Sequence, residues 1–364
     1  MYGIYIHIPF CIKKCLYCDF ASYTGKSHLY EQYLDSLIAE MKEYKNAKAD
    51  SVFVGGGTPS VLSARLLEKL LYNVHDIFDL DKNSEISIEV NPKTLDSGKI
   101  SVLKKYVNRV SMGAQSFNDK ELKAIGRIHS AKEAYESAAL IRDNFENFNI
   151  DLMSSLPYQT AESFFKSLDT ALSLSPAHIS CYSLIVEENT PMYNMVQGGT
   201  VTLPDDDYDR DIYARLKDCL AQNEYERYEI SNYAKSGFEC VHNIKYWDTE
   251  EYLGFGAAAH SYAGGRRFFN SPDISEYMRR TGGGEEILTR SDMISEFVFM
   301  GMRKTAGISK DEFRRRFSED IYDVYADVLR EKIEKGLIIE NRDRLYLSDR
   351  GIDISNYVLC DFII

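Results

Sequence analysis

Residues 2–18 read YGIYIHIPFCIKKCLYC, and this stretch joins a strand-like pattern to a group of cysteines. Isoleucines at positions 4, 6 and 8 alternate with Tyr5 and His7, and alternation with a period of two is typical of a β-strand. Cys11, Cys15 and Cys18 follow directly in the chain. We therefore expect a strand over residues 2–8 whose end carries a loop with three thiols.

The order of a strand followed by a helix recurs along the first half of the chain. Further strand-like segments lie at 51–54, 85–90, 109–112, 149–153 and 178–184, and apolar stripes of helical spacing follow several of them. Ser27 and Ser63 precede two of these stripes and are predicted N-caps. Repeated βα units imply a parallel sheet with right-handed crossovers. The pattern predicts an α/β fold, a partial (β/α)6 TIM-like barrel, with a complete eight-stranded barrel as the alternative.

Polar or glycine-rich runs follow the predicted strands rather than precede them. They lie at residues 10–20, 55–60, 89–92, 113–117 and 151–155. In a parallel barrel these positions all emerge at the C-terminal rim, where active sites are built. Loops after strands are polar in most proteins, but here five of them also carry groups suited to ligand binding. The sequence therefore predicts a ligand site at this rim.

The cysteines indicate a metal centre rather than disulfides. The chain has seven of them, and the four outside the cluster, Cys181, Cys219, Cys240 and Cys360, are scattered. An odd number with one dense cluster indicates a metal site in a reducing compartment. Zinc usually takes a fourth protein ligand, and no second Cys-x-x-Cys pair occurs. Three cysteines on a [4Fe–4S] cluster leave one iron open for a small ligand. A structural zinc site stays open as an alternative.

The Cys-x3-Cys-x2-Cys spacing, with Tyr17 before the third cysteine, resembles the radical S-adenosylmethionine (SAM) superfamily. The resemblance implies that Cys11, Cys15 and Cys18 hold a [4Fe–4S] cluster whose fourth iron is chelated by the amino and carboxylate groups of SAM. It also implies one-electron cleavage of SAM to methionine and a 5′-deoxyadenosyl radical. The partial barrel is that superfamily's fold, so the resemblance extends beyond the cluster.

The rim motifs resemble one family within this superfamily, the oxygen-independent coproporphyrinogen III oxidase-like family. The run Gly55-Gly56-Gly57-Thr58-Pro59 lets the backbone approach a ligand closely, although such a run can also be only a tight turn. Taken singly, Arg127 can pair with a surface carboxylate and Asp151 can cap a helix. The resemblance implies SAM contacts from Tyr5, Tyr17, Gly56, Gly57, Thr58, Glu89, Gln115, Arg127 and Asp151.

Two departures place the chain away from the oxidase branch of this family. That branch carries another cysteine two positions after the third, where this chain has Phe20, and a longer segment before the first strand. Both departures disfavour SAM-dependent oxidative decarboxylation of coproporphyrinogen III to protoporphyrinogen IX. This oxidase activity remains the alternative function, and the sequence assigns no catalytic residue.

A second branch of the family comprises heme chaperones and carries a His-Asn-x-x-Tyr-Trp motif. Residues 242–247 read HNIKYW and contain the only tryptophan of the chain. A neutral imidazole is a common axial heme ligand, so His242 is the candidate heme ligand, with a structural histidine as the alternative. The resemblance implies heme held for delivery to heme-requiring respiratory apoproteins, together with an electron donor for the cluster. His260 and Cys240 are weaker candidates for a part in heme binding.

Charge and hydropathy exclude several classes of partner. Lys and Arg number 43 against 56 Asp and Glu, which leaves a net charge of −13. An acidic chain of this kind is a poor candidate for binding nucleic acid. No apolar run approaches the roughly 18 residues of a membrane span, and no signal-peptide pattern is visible. We expect a cytoplasmic protein with no integral membrane segment.

The patterning predicts three parts. Residues 1–184 form the partial barrel, and residues 185–284 form a barrel extension that carries the HNIKYW motif. Within the extension we expect a helix at 206–222 and a loop-rich stretch after residue 233. Residues 285–364 form a small helical domain, with helices near 292–302, 309–316 and 320–335 and a hairpin at 337–348. Three helices and a hairpin resemble a winged helix. Since acidic residues outnumber basic ones there, we expect a lid over the barrel mouth rather than a DNA-binding module.

Overall fold

The computed structural model describes residues 1–364 and contains six parallel strands that are hydrogen-bonded to one another in chain order. These strands are β1 (Tyr2–Ile8), β2 (Lys48–Gly56), β3 (Asp79–Val90), β4 (Arg109–Gln115), β5 (Phe148–Ser154) and β6 (His178–Ser183). Six helices follow them, α1 (Tyr30–Met41), α2 (Ala64–Ile77), α3 (Ser97–Tyr106), α4 (Asp119–Ala124), α5 (Ala131–Arg142) and α6 (Ala161–Ser173). The predicted partial barrel is confirmed.

Side-chain alternation gives the six strands an apolar outer face and a polar inner face. Ile4, Ile6 and Ile8 of β1 are fully buried in the same core as the apolar residues of α1 and α2. The opposite face carries His7, Ser51, Glu85, Arg109, Asn149 and His178, which are buried as well. Buried polar groups need partners, so the barrel interior is held by hydrogen bonds rather than by apolar packing alone.

The helix starts show which capping predictions succeed. Ser63 caps α2 by accepting a hydrogen bond from the backbone N–H of Leu66 at 3.4 Å. The prediction for Ser27 is wrong, because Ser27 begins a short 3-10 turn and α1 starts only at Tyr30, without a side-chain cap.

The chain after β6 extends the same sheet at both edges. The helix predicted at 206–222 is confirmed, whereas the loop-rich stretch predicted after residue 233 instead contains short strands and helices. It forms α7 (Pro191–Gln197), α8 (Asp206–Gln222), β7 (Glu226–Arg227), β8 (Asn232–Ala234), α9 (Val241–Trp247), β9 (Tyr252–Phe255), β10 (His260–Ala263), β11 (Arg266–Phe269), α10 (Ile274–Met278) and β12 (Gly284–Ile287). The sheet order is β12-β11-β10-β9-β1-β2-β3-β4-β5-β6-β8-β7, so the sheet is open and the eight-stranded alternative is wrong.

The remaining residues form a separate core of 16 buried side chains, from Ile294 to Phe362. Its elements are α11 (Arg290–Gly301), β13 (Ile308–Ser309), α12 (Lys310–Phe317), α13 (Ile321–Glu334), β14 (Ile338–Glu340), β15 (Arg344–Leu347), α14 (Asp349–Asp353) and α15 (Ser355–Leu359). The three helices and the hairpin are present, and β13 adds a third strand to the hairpin. The larger core contains residues on both sides of position 184 and runs to Tyr277. The boundaries at 184 and 284 stay predictions.

The C-terminal helices lie against α9, at the end of the barrel where the strands begin. Lys304 forms an ion pair with Asp248, and the Arg303 guanidinium lies 4.8 Å from the centre of the Trp247 ring. The expectation of a lid over the barrel mouth is wrong, because the mouth is at the opposite end of the strands. None of the helices combines the length and the apolar composition that a membrane-crossing segment requires.

Candidate functional site

A cavity of about 440 Å³ opens at the C-terminal ends of the barrel strands. The cluster loop forms one wall, and the ends of β2, β3, β4, β5 and β6 with the segments that follow them form the others. Every cysteine and SAM position predicted from the sequence, except Tyr5, lines this cavity. The topology therefore brings together residues spread from position 11 to position 151, as expected for a parallel barrel rim.

The loop that carries the three cysteines is tied to the barrel by backbone hydrogen bonds. The N–H of Cys11 donates to the Tyr23 carbonyl at 3.0 Å, and the N–H of Leu16 donates to the Ile125 carbonyl at 3.0 Å. All three thiols are free and partly buried. The loop therefore presents three sulfurs from a fixed backbone rather than from a mobile surface segment.

The environment of the thiols fits a cluster better than a single ion. Burial raises the pKa of Cys11 and of Cys18, and the lowering effect of Lys14 on Cys18 is smaller. No three His, Cys, Asp or Glu side chains converge on one point where a single ion could sit. A zinc ion needs its sulfur ligands at about 2.3 Å, whereas a [4Fe–4S] cluster spreads its thiolates over several irons. Three thiols match the three protein ligands of a [4Fe–4S] cluster with one open iron.

Arg127 links the cluster loop to two neighbouring rim loops. Its Nη1 donates to the Cys15 sulfur at 3.4 Å, and its Nη2 donates to Asn91 Oδ1 at 2.8 Å and to the Gly113 carbonyl. The buried Nε has no hydrogen-bond partner. A buried donor without a partner is costly, so this edge of the guanidinium suits an anionic ligand group such as a carboxylate.

Two buried carboxyl groups form the acidic side of the cavity. Glu89 accepts a hydrogen bond from the Gly56 N–H at 3.1 Å. Burial, and then the charge of Asp151, raises the pKa of Glu89 to about 7. Burial also raises the pKa of Asp151. The hydrogen bond that Asn149 donates to this carboxylate at 2.6 Å acts in the opposite direction and lowers the pKa. A cationic ligand group such as a sulfonium stabilises both carboxylates.

The glycine run is required by close contacts and is more than a tight turn. Gly56 has a φ of +111°, and a Cβ there would lie 2.6 Å from the His7 ring. A Cβ on Gly57 would lie 2.8 Å from the Phe10 carbonyl oxygen. The absence of side chains lets the end of β2 lie directly against β1 and the start of the cluster loop.

Neither Tyr5 nor His7 lines the cavity, and the two side chains are hydrogen-bonded to each other on the inner face of β1. The Tyr5 hydroxyl is 3.0 Å from His7 Nδ1, and His7 Nε2 is 2.8 Å from the carbonyl of Ala21, which follows the cluster loop. Sequence reasoning missed His7 as a site residue, although its alternation with Tyr5 already placed both side chains on one face. Burial lowers the pKa of His7, so the neutral ring donates one hydrogen bond and accepts the other.

Other lining residues were also missed, namely Asn91, Ser111, Met153 and Tyr182. The Tyr182 hydroxyl donates to Gln115 Oε1 at 3.0 Å, and Asn91 Nδ2 donates to Thr58 Oγ1 at 2.7 Å. Of these four residues, only Asn91 could have been identified from the sequence, because it directly follows a predicted strand. At the mouth, Phe20 is 66% exposed and lies beside the exposed Ile185.

The HNIKYW motif forms α9, which closes the barrel at the end opposite the cavity. Glu85 of β3 accepts hydrogen bonds from the backbone N–H groups of Val241 and His242 at 3.1 and 3.3 Å. His242 Nδ1 lies 2.9 Å from Ser51 Oγ, and Nε2 lies 3.0 Å from the Tyr246 hydroxyl. The His242 ring also stacks on Phe53 of β2.

In this arrangement the candidate heme ligand His242 is buried and hydrogen-bonded. The side chain is only 1% exposed, and burial lowers its pKa to about 3. A neutral imidazole has one N–H and one lone pair, and hydrogen bonds engage both nitrogens here. In this arrangement a structural histidine accounts for both hydrogen bonds, and the axial-ligand role of His242 stays a prediction.

The two weaker candidates also lie outside the cavity. Cys240 is fully buried, its thiol lies 3.4 Å from Glu85 Oε1, and burial raises its pKa to about 12, so it is an unreactive structural thiol. His260 is exposed on β10 and stacks on Phe269. Cys181 is buried, and Cys219 is half-buried.

Comparisons with known proteins agree with this geometry. The model of the radical SAM superfamily matches residues 5–171, and that of the HemN C-terminal domain matches residues 288–354. The heme chaperone HemW of Lactococcus lactis is 38% identical over 99% of this chain and 97% of its own length. The heme chaperone HemW of Bacillus subtilis is 38% identical over 100% and 99%.

Among solved structures, coproporphyrinogen III oxidase (HemN) from Escherichia coli superposes with a TM-score of 0.86. The match covers 100% of this chain and 90% of that one, but at 23% identity it shows a shared fold only. The relatives above 30% identity over nearly the full length decide the family. The chain belongs to the radical SAM superfamily and, within it, to the HemW heme chaperone family.

Proposed function

We propose that this protein is a heme chaperone that binds heme, a [4Fe–4S] cluster and SAM and delivers heme to heme-requiring respiratory apoproteins. The observation that carries the proposal is the full-length similarity to proteins named as heme chaperones. The cavity supports the cofactor part, because cluster-type thiols, a buried guanidinium and two buried carboxyl groups meet there.

Each wall of the cavity suits one part of the cofactors. Cys11, Cys15 and Cys18 would hold three irons of the cluster. Arg127 would face the carboxylate of SAM with its unpartnered Nε, and Glu89 and Asp151 would face the positive charges. When bound, the cluster and SAM together supply one-electron reduction and a 5′-deoxyadenosyl radical. The protein's own part is to orient the ligand and to exclude water from it.

In the arrangement described above, the HNIKYW motif does not present a heme site. His242 can reach an iron only if α9 leaves the barrel end, because both ring nitrogens are hydrogen-bonded in the closed arrangement. We propose that the motif supports the chaperone by closing the barrel and that the heme ligand is supplied by another group.

The oxidase alternative is weaker for this chain. Phe20, at the position of the additional cysteine of the oxidase branch, is an exposed aromatic residue at the cavity mouth. A phenyl ring offers neither a thiol nor a proton, but it offers an apolar surface to a flat ligand. The free cysteines and an oxygen-sensitive cluster support a cytoplasmic location and a protein electron donor.

An anaerobic heme titration tests the proposal. The reconstituted protein is titrated with heme, the Soret band is recorded, and the complex is mixed with an apo respiratory heme protein. We expect saturable binding and transfer of the Soret absorbance to the acceptor. Parallel incubation with coproporphyrinogen III, SAM and a reductant should yield neither carbon dioxide nor protoporphyrinogen IX. Non-saturable heme binding, or product formation, would contradict the proposal.

A further inference from the structure

Asp151 of β5 lines the cofactor cavity, and a buried amide on the same strand holds its carboxylate. Asn149 and Asp151 lie on one face of β5, because side chains alternate along a strand. Asn149 Nδ2 donates to Asp151 Oδ1 at 2.6 Å and to Ser111 Oγ of the neighbouring β4 at 2.8 Å. Asn149 is buried and does not border the cavity. The orientation of a cavity carboxylate therefore depends on a residue that no ligand in the cavity touches.

His178 of β6 determines which way this amide points. It lies opposite Asn149 in the register of the two parallel strands, and its Nδ1 is 2.7 Å from Asn149 Oδ1. An ionised carboxylate only accepts hydrogen bonds, so the NH2 group of Asn149 faces Asp151 and the amide oxygen faces His178. Since an amide oxygen also only accepts, Nδ1 carries the proton of the imidazole ring.

Tyr228 fixes the other nitrogen of the His178 ring. Burial lowers the pKa of His178 well below its usual value, and the charge of Arg109 acts in the same direction, so the ring is neutral and its Nε2 is an acceptor. The Tyr228 hydroxyl donates to Nε2 at 2.8 Å, and its oxygen accepts from the Cys240 N–H at 3.3 Å. From Cys240 to Asp151, each group in this hydrogen-bond row therefore has its donor and acceptor roles set by its neighbours.

We infer that His178 is a positioning residue that, through Asn149, aims the carboxylate of Asp151 at the sulfonium of SAM. The inference rests on the proposed function, in which Asp151 faces a positive charge of the ligand. A row of buried groups with fixed donors and acceptors resists rotation of the carboxylate, and a charge held in place in a site poor in water binds an opposite charge more strongly. His178 is fully buried and does not border the cavity, so it acts through Asn149 and not by touching the ligand.

Calorimetric binding of SAM, and of S-adenosylhomocysteine with its neutral sulfur, to the cluster-loaded protein tests the inference. His178→Phe keeps a ring but removes both nitrogens, and His178→Asn restores an N–H donor near the position of Nδ1. We expect His178→Phe to bind SAM about tenfold more weakly but S-adenosylhomocysteine within about threefold of the wild type, and His178→Asn to recover most of the SAM affinity. His75→Phe is the matched control and should bind both ligands normally, because His75 is exposed on α2.

Wild-type SAM affinity in His178→Phe would overturn the inference, and so would an equal loss for both ligands, which is the effect of a generally distorted cavity. A second measurement needs neither a folded variant nor a ligand. Long-range ¹H–¹⁵N NMR spectra of the ¹⁵N-histidine-labelled wild-type protein should show His178 with its proton on Nδ1, and a proton on Nε2 would overturn the inference. If the cluster-loaded wild type binds no SAM, the proposed function fails, and the spectrum still decides whether His178 orients the row that ends at Asp151.

Discussion

Arg127 Nη1 lies 3.4 Å from the sulfur of Cys15, and the same guanidinium also holds Asn91. This contact joins the cluster loop to the rim loops that follow β3 and β4. The relationship makes Arg127 a structural part of the cluster wall as well as a candidate ligand for SAM.

Replacing Arg127 should weaken the cofactor site rather than the whole fold. Arg127→Met leaves Asn91 and the Gly113 carbonyl without their partner, at a cost of about 1–3 kcal/mol. We expect about a tenfold or larger loss of SAM affinity and a lower iron content after reconstitution, measured by calorimetry and metal analysis. Arg142→Met is the control, since Arg142 pairs only with the neighbouring Asp143 at the surface. Equal effects in both variants would contradict the assignment.

Gly56 should tolerate no side chain. Gly56→Ala places a Cβ against the His7 ring at a positive φ, so we expect a loss of about 1–3 kcal/mol of unfolding free energy together with loss of SAM binding. Gly199 has a φ of +69° and open space around it, so Gly199→Ala bears the backbone strain without the contact. Denaturant unfolding and a SAM titration of both variants compare the two effects. Normal SAM binding by Gly56→Ala would show that the approach to His7 is dispensable.

SAM binding should release a proton from Glu89. Its pKa of about 7 in the free protein means that much of the population is protonated at neutral pH. A cationic ligand favours the carboxylate, so the affinity should rise as the pH increases towards about 7 and level off above it. Calorimetry in two buffers of different ionisation enthalpy counts the proton. Glu89→Gln should lose this release, and a variant that still releases the proton would exclude Glu89 as its source.

His242 should matter for stability rather than for iron ligation. His242→Phe keeps an aromatic ring on Phe53 but leaves the hydroxyls of Ser51 and Tyr246 without a partner, at a cost of about 1–3 kcal/mol of unfolding free energy. We expect the heme complex of the folded variant to keep its Soret position. A variant of wild-type stability that loses heme binding would show instead that α9 opens and that His242 ligates the iron.

Features that depend on nearby residues were predictable from the sequence. The Cys-x3-Cys-x2-Cys spacing and the alternation of Tyr5 and His7 lie within one short stretch, and a parallel barrel then fixes which loops meet at the rim. The cavity assembles as expected because Gly56, Glu89 and Gln115 lie at the ends of their strands, whereas Asp151 lies inside β5 and Arg127 follows α4. Tyr5 is the exception. It lies two residues before His7 on the same face of β1 and is therefore deeper in the barrel.

Features set by packing between distant segments were not predictable. His242 looks like a heme ligand in sequence, but its burial depends on Ser51 and Glu85, more than 150 positions away. The strands between residues 226 and 287 have only two to four residues each, too few to show alternation. The lid prediction failed because acidity says nothing about the end of the barrel on which the C-terminal helices pack.

The electron paramagnetic resonance spectrum of the reduced protein, recorded with and without SAM, tests the central claim most directly. After anaerobic reconstitution we predict about four iron atoms per chain and the signal of a reduced [4Fe–4S] cluster, which SAM shifts because it binds the open iron. Cys15→Ala should abolish the signal. Stoichiometric zinc in place of iron, or a cluster signal that SAM leaves unchanged, would contradict the account.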